Sequence, residues 1–240
     1  MLKDSNIISF CGLRNAGKSV SAEMLKFLLN TPSFLHFYWV YKCFPFFGNF
    51  GKWKTTSFAK PLKEVLGVIL GVPAEKFENR EFKENYCVDL DTAKIYYCGS
   101  HNCQNKLLTD KELSKLIKNK EYQVINKYYL TIRQCLQYIG TEILRTFISD
   151  KIWINASLKG NNLIFGDLRF KKEFEELDKH QSFRILIERP GCLPGNHASE
   201  KQIMELKSER TFEGYIDNNG TLKDLFCKIK QLTDDLYVIK

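Results

Sequence analysis

Gly12, Gly17, Lys18 and Ser19 fall in the spacing G-x-x-x-x-G-K-S, and that combination handles phosphate. Glycines let the backbone curl so that successive N–H groups point inward. The helix start that follows adds roughly half a positive charge, and Lys18 brings a full one to the terminal phosphates. The Ser19 hydroxyl is of the kind that ligates magnesium in such loops. Gly12, Asn15, Ala16, Gly17, Lys18, Ser19 and Val20 are therefore the expected nucleotide contacts near the amino terminus. A second group recurs every four residues over 131–147: Arg133, Gln137, Thr141 and Arg145, with Glu142 beside them. Two guanidinium forks, an amide and a hydroxyl suit a phosphorylated, hydrogen-bonding ligand; a solvated face with incidental arginines is the plainer alternative. Asp167 and Arg169 close one apolar run and Arg189 another.

These groups need elements to position them. Residues 6–11 are a β-branched and aromatic run that reads as a buried strand, and 19–29 carry Val20, Met24, Leu25, Leu28 and Leu29 at helical spacing. Strand, glycine loop and helix are the context the motif requires. Further strands are expected at 162–167, 183–187 and 215–218, with helices over 171–177 and from a Thr221 cap onward. In an open parallel sheet, ligands lie beyond the carboxyl ends of the strands. That places Asp167, Arg169 and Arg189 near the phosphates.

The middle of the chain is less regular. Residues 34–53 are aromatic-rich; a strand near 37–41 and a turn at 48–51 are expected, with most rings in the core. Residues 55–59 read as a strand end. Pro61 then starts a helix through Leu62, Val65, Leu66 and Ile69 that Gly71 and Pro73 terminate. Residues 75–120 read as an insertion holding a hairpin, 86–90 with 94–98, and a helix over 110–117 capped by Thr109. The clearest later helix spans 131–147. Residues 189–210 resemble a lid, the Gly- and Pro-containing stretch around His197 being its mobile part.

The expected fold is α/β, a mostly parallel central sheet flanked by helices, formed as a single domain over 1–240. Hydrophobic content of 44% and charged content of 27% exclude disordered and fibrous classes. The apolar stretches are too short and interrupted to span a bilayer, and the polar start at residues 1–6 leaves no signal peptide to expect. A formal charge of +8 favours polyanionic partners without choosing between nucleotides and nucleic acid. Eight cysteines suggest a reducing compartment. Cys87, Cys98, His101 and Cys103 are zinc-compatible types, but they lack paired C-x-x-C knuckles, which favours a loop that happens to hold thiols.

The ordered set 12–19, S-F-A-K-P-L-K-E at 57–64, R-Q-C-L-Q-Y-I-G-T-E at 133–142, D-L-R-F at 167–170 and H-A-S-E at 197–200 resembles the deoxynucleoside monophosphate kinases of phages and large DNA viruses. Where members often carry Asp after the loop lysine, this chain has Ser19. The resemblance implies a P-loop, nucleoside monophosphate kinase-like fold with a helical substrate region and lid. It also implies ATP as donor, a deoxynucleoside monophosphate as acceptor, magnesium, and a cytoplasmic setting, the host cytoplasm for a viral protein. Animal phosphomevalonate kinases share the glycine loop, P-L-K and D-x-R elements and form the alternative; a nucleotide-dependent nucleic-acid binder is the alternative from another class. On the kinase reading Lys18 and the loop amides hold the donor, Ser19 and Asp167 the metal, and Arg133 and Arg169 stabilise the migrating group. Lys60, Arg133, Gln137, Thr141, Glu142, Arg145 and Asp167 would bind the acceptor, and Arg189 would close over the donor. Nucleic acid is then not an expected partner, no membrane is involved, and a homodimer is left open.

Overall fold

Ile7, Ile8, Phe10 and Cys11 are all but completely buried because their strand lies at the centre of a sheet covered on both faces. The computed structural model describes residues 6–99, 103, 106–194 and 198–238. The chain opens with β1 (Ile7–Cys11), α1 (Lys18–Asn30), α2 (Tyr38–Cys43) and β2 (Lys54–Thr56). There follow α3 (Lys60–Leu70), α4 (Arg80–Asn85), β3 (Tyr86–Asp89), β4 (Lys94–Tyr97), α5 (Asp110–Lys118), α6 (Tyr122–Ile125), β5 (Tyr129–Thr131) and α7 (Ile132–Gln137). The last part holds α8 (Ile152–Ser157), β6 (Leu163–Leu168), α9 (Lys171–Leu177), β7 (Ser182–Glu188), α10 (Ala198–Glu209), β8 (Gly214–Asp217) and α11 (Leu222–Val238). Contacts divide the chain into two compact units, Met1–Phe58 with Ile154–Lys240, and Ala59–Trp153.

In the first unit five strands run in the order β2-β6-β1-β7-β8, every neighbouring pair parallel. A parallel sheet has to be covered on both faces, and alternation along β1 divides its side chains accordingly. Ile8 and Phe10 pack with Met24, Leu25, Phe27 and Leu28 of α1 and with Phe226 and Ile229 of α11. Ile7 and Cys11 pack on the other face with Phe174 and Leu177 of α9 and Ile203 and Leu206 of α10. Full burial of a ring such as Phe10 or Phe165 contributes about 1.5–3 kcal/mol. The result is the expected mixed α/β architecture, compatible with a P-loop kinase fold. Between Ser9, opposite Phe165, and Cys11, opposite Leu168, the register shifts by one extra residue in β6. A bulge of this kind re-aims side chains at a strand end, and this one lies at Gly166 and Asp167.

Residues 38–43 correct one expectation, being helical where a strand was read. Tyr38 and Tyr41, three apart, both lie on Phe226, at 5.8 and 5.5 Å between ring centroids, and Tyr41 also meets Phe27 at 5.4 Å. Docking two rings three residues apart onto one site requires helical period, and this overrides the strand preference of aromatic residues. Val20 corrects another: it is 40% exposed and lies outside the core that Met24, Leu25 and Leu28 join.

The second unit holds an antiparallel sheet in the order β4-β3-β5. The hairpin forms as read, and β5, a three-residue strand too short to register in the sequence, completes the sheet. Leu62 and Leu66 of α3, Phe77, Val88, Leu130, Ile132 and Tyr138 make its core. Thr109 caps α5 through a reciprocal bond with Glu112, and Thr131 caps α7 the same way with Gln134. The helix read over 131–147 is α-helical to Gln137 and then a π-helix over Tyr138–Arg145. At Gly140 a Cβ would lie 2.5 Å from Leu62, and Trp153 Nε1 donates to the Gly140 carbonyl at 2.8 Å. The indole thus occupies a carbonyl of the widened turn.

Candidate active site

The motif residues 12–17 link the carboxyl end of β1 to α1, and long-range contacts shape them. Gly12 passes so close to β7 that a Cβ would sit 2.2 Å from the Ile187 carbonyl oxygen. Gly17 has φ 106° and lies against Asn218, whose Nδ2 would be 2.6 Å from a Cβ there. Asn15 takes φ 66°, a conformation Asn tolerates better than most residues. The Ala16 carbonyl accepts from Asn218 Nδ2 at 2.8 Å, and the Asn218 amide donates to the Glu188 carbonyl at 2.6 Å. Asn218 therefore ties the loop to the β7 and β8 strand ends.

Lys18 is 7% exposed and folds back on its own loop, Nζ donating to the Gly12 and Leu13 carbonyls at 2.6 Å each. Burial, followed by the positive charge of Arg169, lowers its pKa to about 8, against the partial counteraction of Glu200 and Asp167. Burial also pushes the Cys11 thiol up to about 12. Ser19 and Val20 stand exposed at the start of α1. A Cβ on Gly166 would lie 3.4 Å from Ser19 Cα, so the end of β6 runs against the residue proposed to hold magnesium.

Asp167 follows at that strand end, half-buried, with Oδ1 accepting from the Phe58 amide at 3.0 Å. The Arg169 amide donates to Glu173 Oε2 at 3.0 Å, which anchors the turn into α9 while the Arg169 charge acts on Lys18. Arg189 is exposed and lines a cavity of about 60 Å³ with Gly12, Ala16, Ile187, Cys192 and Lys207. Glu200 was missed as a site residue although it ends the H-A-S-E segment: it is 6% exposed and accepts from the Arg14 amide at 3.3 Å. His197 lies outside the described residues. Lys18, Ser19, Asp167, Arg169 and Arg189 thus belong to one unit, at one edge of one sheet.

The remaining candidates belong to the other unit. Arg133 Nη2 is 3.0 Å from Glu84 Oε1, an acidic partner that sequence spacing did not reveal. Lys60 is exposed, 3.9 Å from Glu64. Gln137 and Thr141 are exposed, and Glu142 and Arg145 half-buried. In a π-helix the i→i+5 ladder leaves positions four apart short of a full turn, whereas in an α-helix they overshoot it. The stripe therefore turns back on itself after Gln137. The thiols of Cys87 and Cys103 lie 2.8 Å apart in a buried cluster with Tyr129. A structural zinc would need two further ligands beside this pair. Among the described residues no group of three or more candidate ligands could hold one, and His101 lies outside them. Among the described residues no helix is long and apolar enough to cross a membrane.

No family model matches the chain. A protein of Acanthamoeba polyphaga mimivirus named "Putative deoxynucleotide monophosphate kinase" is 24% identical over an alignment of 147 residues, and the match covers 54% of this chain and 75% of that protein. The match and the motif resemblance point in the same direction.

Proposed function

We propose that this chain transfers the γ-phosphoryl group of ATP to a deoxynucleoside monophosphate, giving ADP and the diphosphate. One observation carries the reading: a buried lysine, short of anions, is held on loop carbonyls between a central strand and a helix start. A triphosphate supplies the anion that this lysine lacks. The choice of acceptor rests on the ordered motifs and on the name of the mimivirus relative. Phosphoryl transfer asks for positioning and charge stabilisation more than for covalent chemistry. Lys18 and the loop amides would bind the donor phosphates, and Arg169, whose charge already acts on Lys18, would stabilise the migrating group. Ser19 and Asp167 would hold magnesium, which neutralises phosphate charge when bound. The carboxylate and hydroxyl are oxygen donors of the type that ion takes. Arg133, Gln137, Thr141, Glu142 and Arg145 would hold the acceptor, with Lys60 near it, and Arg189 would cover the donor and exclude water.

The test is ADP release in the presence of each of the four deoxynucleoside monophosphates and of mevalonate phosphate, with the product identified by mass. Transfer to at least one nucleotide is expected. Arg169→Ala should lower kcat by about 10³–10⁵. Transfer to mevalonate phosphate alone, or salt-sensitive binding of single-stranded DNA without any transfer, would refute the reading.

A further inference from the structure

Lys83, on α4, is a half-buried lysine whose ammonium makes no hydrogen bond or ion pair among the described residues. Its neighbours in the same unit are charged and mostly committed. Lys63 Nζ is 2.6 Å from Glu78 Oε1, with the lysine side chain only 14% exposed. Glu84 Oε1 accepts from Arg133 Nη2 at 3.0 Å and from Arg80 Nε at 3.1 Å. Lys63, Lys83 and Arg133 therefore face two carboxylates, Glu78 and Glu84, and the charge left over is that of Lys83. Burial, then the charges of Lys63 and Arg133, hold the Lys83 ammonium below the usual lysine range; Glu78 and Glu84 do not restore it. A solvated lysine face spreads its cations apart; here α4 packs on α7 and brings them together.

The missing partner can be read from the charge. A phosphate monoester carries close to two negative charges at neutral pH, its second pKa being about 6, and offers three acceptor oxygens. Those three oxygens match the three cations Lys63, Lys83 and Arg133, where a phosphodiester offers two. We propose that Lys83, with Lys63 and Arg133, forms a cradle for the dianionic phosphate of the acceptor. Glu78 and Glu84 hold Lys63 and Arg133 in position before that phosphate arrives. The cradle rests on the kinase reading for the identity of the rest of the acceptor molecule, not for its phosphate. It adds Lys63 and Lys83 to the acceptor residues and makes them positioning and binding groups.

The test compares wild type with Lys83→Met, Lys83→Gln and Lys83→Arg, each checked for an unchanged thermal unfolding profile. With whichever deoxynucleoside monophosphate is turned over, Met and Gln should raise the acceptor KM by about tenfold or more, the loss expected for a charge-assisted bond. The KM for ATP should stay within about twofold, and Arg should recover most of the loss. The parent nucleoside, lacking the phosphate, should bind wild type and variants alike. An unchanged acceptor KM in folded, active Met and Gln variants overturns the cradle and leaves the kinase reading standing. If wild type phosphorylates none of the four monophosphates, the kinase reading falls, and calorimetry with inorganic phosphate and each monophosphate decides the cradle. Binding that weakens with Lys83→Met and Lys83→Gln sustains it. No binding, binding indifferent to Lys83, or Lys83-dependent binding of single-stranded DNA alone overturns it.

Discussion

Lys18 offers a quantitative test because its proton is held against two opposing pressures, burial and the Arg169 charge. With a pKa of about 8 in the free protein, the ammonium is half deprotonated near that pH. A bound triphosphate favours the charged form and restores the pKa to the ordinary lysine range or above. Above about pH 8, then, the free site has lost the proton and the bound site keeps it, so binding takes up a proton and affinity falls as pH rises. Well above that point each pH unit weakens binding roughly tenfold, or about 1.4 kcal/mol, and because the site is already half deprotonated at pH 8 the loss from pH 8 to 10 is about fortyfold. Calorimetry of ATP binding with magnesium, in paired buffers of different ionisation enthalpy, reads both the affinity and the protons. Uptake at pH 9 should be close to one proton. Lys18→Met should bind weakly with no such dependence, and Arg169→Gln should move the fall to higher pH by removing the opposing charge. The Cys11 thiol, pushed up to about 12, stays protonated across this range and does not confuse the measurement. Wild-type affinity that is flat from pH 7 to 10, with no proton uptake at pH 9, would refute the reasoning.

Three further outcomes follow from contacts around the same elements. Gly12→Ala places a methyl 2.2 Å from the Ile187 carbonyl oxygen, a backbone atom that cannot swing aside, and should lower Tm by several degrees and abolish measurable ATP binding. Asn218→Ala removes the donor to the buried Ala16 carbonyl and should cost about 1–3 kcal/mol in chemical denaturation, with ATP affinity falling and acceptor affinity holding. Oxidation with diamide, which accepts the two electrons and two protons released by a thiol pair, should join Cys87 to Cys103, their sulfurs being 2.8 Å apart; peptide mapping by mass without reductant checks the bond. Recovery of both peptides unlinked would contradict that placement.

The glycine loop was legible because everything that shapes it locally lies within a dozen consecutive residues: an apolar strand, two glycines, a lysine and an amphipathic helix. The β3–β4 hairpin, the Thr109 cap, α9 and the β6 to β8 strands were equally local and were read within a residue or two. Contacts made across long stretches of chain were not legible. Asn218 supports Ala16 from 202 residues away, and Glu200 reaches Arg14 across 186. No periodicity announces a partner at that distance.

The same division runs through the charged residues. The amino-acid order by itself determined that Lys18, Asp167, Arg169 and Arg189 stand at carboxyl ends of parallel strands, since strand alternation and connection length dictate it. Only the tertiary structure decided which cations are satisfied: Arg133 is paired with Glu84, Lys63 with Glu78, and Lys83 with neither. It also decided that the helix carrying Arg133 widens into a π-helix at Gly140, where Leu62 and Trp153 close in. A residue's charge is a property of its type. Whether that charge has a partner depends on which distant side chains share its small volume of low dielectric, and folding alone brings those together.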